Sequence, residues 1–225
     1  MKGSQYNYFL DVSQAAEGIH IALENAQSLL DDAILLNENG RHARAVALAI
    51  LSIEESGKPS IIRSILLEQD KKAVGQRWND YRQHKSKSQM WILPELVVKG
   101  ARRLEDLRDM FTSNTHTQLL EDLKQRALYT DAYKRCKWSS PDQIMDKEIA
   151  DIIIEAAAAL VRKENPIMTT VAELSVWVKH LKPVWNQEMS EMNLALYQCY
   201  RELEECGLAK EGKAEDMRQF LNLPG

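Results

Sequence analysis

Between Arg77 and Lys87 the chain reads Arg-Trp-Asn-Asp-Tyr-Arg-Gln-His-Lys-Ser-Lys. His84, one of only five histidines, stands here among Arg77, Arg82, Lys85 and Lys87, and Asp80 is the one acid in the stretch. An imidazole titrates near neutrality and can take or return a proton, while guanidinium and ammonium groups supply fixed positive charge. That inventory suits acid–base chemistry on a phosphate ester, with the histidine moving the proton and the cations stabilising developing charge. On a helix, Arg77 and His84 lie seven residues apart and share a face, with Tyr81 between them. Arg82 then points elsewhere. The competing reading is a solvated basic helix end in which Trp78 and Tyr81 anchor the core.

Other chemistries find no residues to carry them. The sequence contains no GxxxxGK[ST] or GxGxxG to cradle a nucleotide, no HExxH, and no His/Cys cluster at metal-ligand spacing. Its serines lack the strand-to-helix elbow of a covalent nucleophile. The expectation is therefore a site without metal or cofactor. RNA fits such a site because it carries its own nucleophile, the 2′-hydroxyl, and needs only proton transfer and charge stabilisation.

The surroundings reinforce a local anion site in a chain that is acidic overall, at net charge −4. From Lys71 to Arg103 nine basic residues face only two acids, Asp80 and Glu95, which reads as a phosphate or nucleic-acid footprint. Two further acids, Glu54 and Glu55, follow directly on an apolar run, with Lys58 four residues after Glu54. Their plain reading is a surface ion pair. Their position, where a buried helix emerges, is also where a site would form.

At 225 residues, 44% apolar and 28% charged, the chain is long enough and apolar enough to bury an ample core. Three cysteines without paired spacing argue against a disulfide framework and a zinc ribbon. No apolar leader and no run of eighteen apolar residues occur, so a soluble cytoplasmic protein is expected, with no membrane partner.

The elements read as helices throughout. Asp11 to Asn37 carries Ala15, Ile19, Ala22, Ala26, Leu30 and Ala33 at helical spacing, with Asp11 and Gln14 placed as a capping box. Arg41 to Ser56 is apolar on all sides, and Gly57-Lys58-Pro59 is expected to kink or restart it. Thr112 to Thr117 reads as a polar break, followed by a helix through Leu128. Ser140-Pro141 restarts a helix, Pro166 opens another stopped by Pro183, Val184 to Cys206 is long, and Gly212 to Leu221 is short and charged. No alternating strand is evident. The fold class is all-α, with about eight or nine helices.

Three stretches in order carry a family resemblance: Leu48-Ala-Ile-Leu-Ser-Ile-Glu-Glu-Ser-Gly-Lys58, Tyr81-Arg-Gln-His-Lys-Ser-Lys87, and Leu128-Tyr-Thr-Asp131 with Trp138-Ser-Ser-Pro141. Over about residues 10 to 160 the sequence resembles AbiV-type abortive infection proteins of the HEPN superfamily. The resemblance implies an HEPN-like helical bundle, taken here as residues 1–138, with additional C-terminal helices, 139–225, packed on it. It implies a homodimer and, in many members, a metal-independent endoribonuclease with an arginine, four to six residues, then a histidine. Arg77 and His84 match with six residues between, and Trp78 stands where a polar residue often follows the arginine. On this reading His84 is the acid/base and Arg77 the phosphate stabiliser. Arg82, Lys85, Lys87, Glu54, Glu55, Lys58 and Tyr81 bind RNA or support the site. The implied role is defence against phage by blocking translation, with RNA as substrate and a phage-encoded protein as activator. The alternative is a non-catalytic HEPN module that binds a phage or host protein, or RNA, as sensor or regulator.

Overall fold

The first helix begins at a reciprocal cap. The Gln14 amide donates to the Asp11 carboxylate at 2.8 Å, and the Asp11 amide donates to the Gln14 side chain at 3.0 Å. A computed structural model describes residues 5–82, 115–133, 137–161 and 168–224, with side chains left aside at 115–118, 133 and 137. From the cap, α1 (Val12–Glu38) runs to Gly40, whose φ of +70° turns the chain back into α2 (His42–Leu67). Such a φ is open to glycine because it has no Cβ. The buried stripe of α1 is Ala15, Ile19, Ala22, Ala26, Leu30 and Ala33. Its small residues let α2 approach closely enough for the buried Ser52 hydroxyl to donate to the Ala26 carbonyl at 2.7 Å.

Helix α2 is the axis of the molecule. Its amino-terminal half packs Val46, Ile50 and Ile53 into one apolar cluster, and its carboxy-terminal half packs Ile62, Leu66 and Leu67 into a second. It runs unbroken through Gly57-Lys58-Pro59, where a kink or restart was expected. Pro59 has no amide hydrogen to give the Glu55 carbonyl, a defect that costs about 3 kcal/mol in an exposed helix. Here Gly57 and Pro59 are buried and both flanking halves are locked into core. Tertiary packing overrides the local break.

The remaining elements follow the same logic. Helix α3 (Lys71–Arg82) starts where the Asp70 carboxylate accepts the Ala73 amide at 2.8 Å, and Val74 is its one buried residue. Helix α4 spans Thr115–Leu128, so Thr115 to Thr117 are helical rather than part of a polar break, and His116 lies in the first turn. A short antiparallel hairpin follows, β1 (Asp131–Tyr133) against β2 (Lys137–Ser139), with Ala132 opposite Trp138; no strand was expected here. Helix α5 (Pro141–Ile144) has Ser140 at its N-cap, as the Ser-Pro pair predicts.

Helix α6 (Lys147–Val161) adds Ala150, Ile153, Ala157 and Leu160 to the first cluster. Asn37 ties it to the end of α1 by donating to Asp151 at 2.7 Å. Helix α7 (Val171–Leu181) opens at a Thr170–Glu173 capping box and closes into a 3₁₀ turn, Lys182–Val184. The long helix expected from Val184 starts later, as α8 (Met189–Glu205), and α9 (Lys213–Phe220) ends the fold. Leu174, Leu181, Cys199 and Leu203 fill the second cluster against α2. The fold is an all-α bundle, as the periodicity predicts, with nine α-helices among the described residues. No helix among them is long and apolar enough to cross a membrane.

Candidate functional site

Arg77 sits on α3 and reaches back to the junction with α2. Its Nε donates to Glu68 Oε1 at 3.1 Å, and its Nη1 lies 3.7 Å from Asp80 Oδ2. Glu68 follows the last residue of α2 and is only 2% exposed. Its second oxygen accepts from the Asn186 side chain at 3.2 Å. Two neighbouring bonds stitch the same corner: Gln69 donates to the Lys182 carbonyl at 2.8 Å, and Lys182 donates to the Leu66 carbonyl at 3.2 Å. A buried carboxylate is retained only when its charge and lone pairs are met. Arg77 supplies the charge. Its side chain remains 37% exposed, with its two terminal nitrogens making no hydrogen bond to the described residues. The guanidinium is thus fixed through Nε on Glu68, with Asp80 beside Nη1 and part of the group still in water, and a planar fork of this kind can also take a phosphate.

Glu54 and Glu55, adjacent in sequence, face different partners because successive helical residues point about 100° apart. Glu55 pairs with Lys58 at 2.5 Å, and Lys58 Nζ stands 5.0 Å from the centroid of the Tyr81 ring on α3. Glu55, Lys58 and Tyr81 therefore form one patch where α2 meets α3. Glu54 turns towards α4 and is buried against Lys124, with Nζ to Oε1 at 2.6 Å. Lys124 also pairs with Glu121 at 2.8 Å. Burial alone would pull the Lys124 pKa down, but the hydrogen bonds to Glu121 and Glu54 outweigh it and hold the pKa above lysine's ordinary value. Lys124 is 4% exposed, so this ion triad is an internal tie between α2 and α4.

Arg82 has a third set of partners. It donates to Asn7 Oδ1 at 2.7 Å and to the Tyr6 carbonyl at 2.5 Å, and its guanidinium stacks 5.5 Å from the Trp78 ring centroid. Trp78 Nε1 donates to the Tyr8 carbonyl at 2.9 Å. The segment before α1 is thereby strapped along α3.

His84, Lys85 and Lys87 lie outside the described residues. Of the residues singled out from sequence, Glu55, Lys58 and Tyr81 come together where α2 meets α3, whereas Arg77 pairs with Glu68 and Asp80 and Arg82 with the segment before α1. Glu54 faces α4. Tyr129 is exposed, and Asp131 accepts from its own neighbour, the Ala132 amide. Among the described residues no three of His, Cys, Asp and Glu converge as a metal site would require.

Sequence reasoning missed Glu68, Asn186 and Lys124, because partners 9, 118 and 70 residues distant leave no periodic trace. It also passed over Tyr6, Tyr8 and Phe9, whose density of aromatic side chains before the first helix was a usable sign. In the second cluster, the indole N–H groups of Trp177 and Trp185 are buried and find no hydrogen-bond acceptor among the described residues, so both pack as apolar surface there.

The family model for AbiV, of the HEPN group, matches residues 14–162, more than half of the chain. No curated protein and no solved structure matches it.

Proposed function

Because the chain belongs to the AbiV family of HEPN proteins, we propose that it acts in abortive infection as a metal-independent endoribonuclease. The 2′-hydroxyl of RNA attacks the adjacent phosphorus and the bond to the 5′-oxygen breaks. His84 removes the first proton and returns one to the leaving oxygen. Arg77 stabilises the charge that develops on the phosphoryl oxygens. Lys85 and Lys87 steer the strand, while Glu55 and Lys58 of α2 hold the α3 face that carries Tyr81. The proposed setting is the cytoplasm. A second copy of the chain completes the assembly, and a phage-encoded protein releases the activity.

The observation that carries this reading is the guanidinium of Arg77, held by Nε on buried Glu68 while its side chain stays 37% exposed. Preorganised charge at a phosphate needs such a hold, since reorientation during reaction would forfeit its stabilisation. The test is single-turnover cleavage of RNA in EDTA by the full chain, with and without phage lysate. His84→Ala loses cleavage while keeping the wild-type melting temperature. Undiminished cleavage by that variant overturns the assignment.

A second reading has its own support. Arg77 already lies between two carboxylates, Glu68 and Asp80, and a residue so balanced serves structure well without chemistry. On that reading the protein is a non-catalytic module that binds a phage or host protein. It shows partner capture and no cleavage in the same assay.

A further inference from the structure

Along α3 the structure assembles a ladder of aromatic rings interleaved with cations. Tyr8 packs edge-on to Tyr6 at 5.5 Å between centroids, Tyr6 to Trp78 at 5.8 Å, and Trp78 to Tyr81 at 5.4 Å. Lys71 Nζ stands 5.9 Å from the Tyr8 centroid, Arg82 lies over Trp78, and Lys58 over Tyr81. Tyr6, Tyr8 and Phe9 are exposed, Tyr8 at 60%. Large aromatic surface left in water beside positive charge calls for an explanation, because a segment of this kind ordinarily buries its rings.

We propose that the segment Tyr6–Phe9, strapped to α3, is a stacking platform for unpaired bases of RNA. The proposal deepens the ribonuclease reading and rests on its choice of RNA. Single-stranded nucleic acid is held by flat rings that take the bases and by cations that follow the backbone. Both are present here, and the local charge favours a polyanion. Asp11 and Asp70 are engaged as helix caps and Asp80 with Arg77, whereas Lys71 and Lys72 are exposed and pair with no carboxylate among the described residues.

The platform is also rigid where it matters. Trp78 Nε1 and Arg82 bond the carbonyls of Tyr8 and Tyr6, so the backbone is pinned independently of the Tyr8 side chain. With the backbone held this way, only side-chain freedom is lost when a base stacks on the ring. Trp78 packs on Tyr81, which lies one helical turn from Arg77 on the same face of α3, so the platform adjoins the proposed phosphate position. It selects unpaired RNA, because bases inside a duplex offer no free face.

The experiment is fluorescence anisotropy with the full chain and labelled twelve-nucleotide RNAs, one single-stranded and one in a duplex, in EDTA. Tyr8→Ala weakens single-strand affinity about tenfold, the scale of one lost base stack, while Tyr8→Phe binds as wild type. Replacing Lys71 and Lys72 together by alanine lowers the slope of log affinity against log salt by about 1.4, for two phosphate contacts on a single strand. Unchanged melting temperatures confirm folding. The proposal is overturned if Tyr8→Ala binds as tightly as wild type, if Tyr8→Phe loses as much as Tyr8→Ala, or if the duplex binds as well as the single strand. A face that serves a protein partner gives the first of these results. Cleavage by His84→Ala is a separate readout, so the nuclease reading and the platform fail by different measurements.

Discussion

Arg77 Nε and Glu68 Oε1 meet at 3.1 Å across the corner between α2 and α3, joining a partly exposed cation to a buried carboxylate. Arg77 neutralises a charge that the fold has buried while its own side chain stays partly in water, with Asp80 3.7 Å from Nη1. Asn186 on the far side of Glu68 ties the same corner to the loop between α7 and α8.

Lysine at position 77 retains the charge but lacks the planar fork that holds Glu68 and presents a second edge together. Arg77→Lys is expected to lower RNA cleavage by on the order of 10²-fold, the scale of one lost transition-state donor. Its urea midpoint should move little. Single-turnover cleavage beside equilibrium unfolding separates the two effects, and wild-type cleavage by this variant removes Arg77 from the mechanism.

Glu68→Ala leaves the Asn186 amide and the Arg77 Nε without their acceptor. Loss of about 1–3 kcal/mol is expected from the unmet groups, towards the low end because Arg77 is solvent-screened. Glu68→Gln keeps one acceptor and should lose less. Urea denaturation of both variants decides; equal stability for all three proteins would make the corner dispensable.

Lys124→Met takes the neutralising ammonium away from the buried Glu54 carboxylate between α2 and α4. A loss of about 3 kcal/mol is expected, and adding Glu54→Gln should restore much of it, since no full charge then stays buried. The raised pKa of Lys124 fixes the sign with pH. The stabilisation is complete below lysine's ordinary value of 10.5 and is lost as pH rises through the higher folded value. Stability measured from pH 9 to 12 should therefore fall in wild type and flatten in Lys124→Met.

At the acid end, hydrogen bonds from Arg218 and then Gln219 bring the Glu215 carboxyl down to about 2. A depressed carboxyl stabilises the fold above its ordinary value of 4.5 and ceases to do so as pH falls through about 2. Glu215→Gln should flatten the melting temperature between those limits. The group is exposed, so high salt should erase most of the difference. A salt-independent effect would point to another cause.

Burial, with Glu202 nearby, pushes the Cys199 thiol up to about 12, whereas Cys206 is exposed. The thiolate is the reactive form. In a Cys136→Ser background at pH 8, a thiol reagent should label Cys206 promptly and Cys199 only in denaturant. Fast labelling of both in the folded protein would show that the second cluster opens readily.

Local sequence determined the helical class and some of the helix ends, though it set the starts at Pro166 and Val184 where the helices begin at Val171 and Met189. The Asp11–Gln14 box, Gly40, Ser140-Pro141 and Gly212 each act within one turn of themselves, so their chemistry is legible residue by residue. The alanine stripe of α1 and the all-round apolarity of α2 likewise announced a buried central pair. Tertiary structure alone decided the rest. Pro59 stays within a continuous helix because two cores grip its flanks, a force that no local pattern contains. Glu54 and Glu55 part company because α4 stands on one side of α2 and α3 on the other. Arg77 was visible as a candidate, but the buried carboxylate that aims it comes from the end of another helix. A helix signature is short-range, whereas the partner of a charge is set by how distant helices pack.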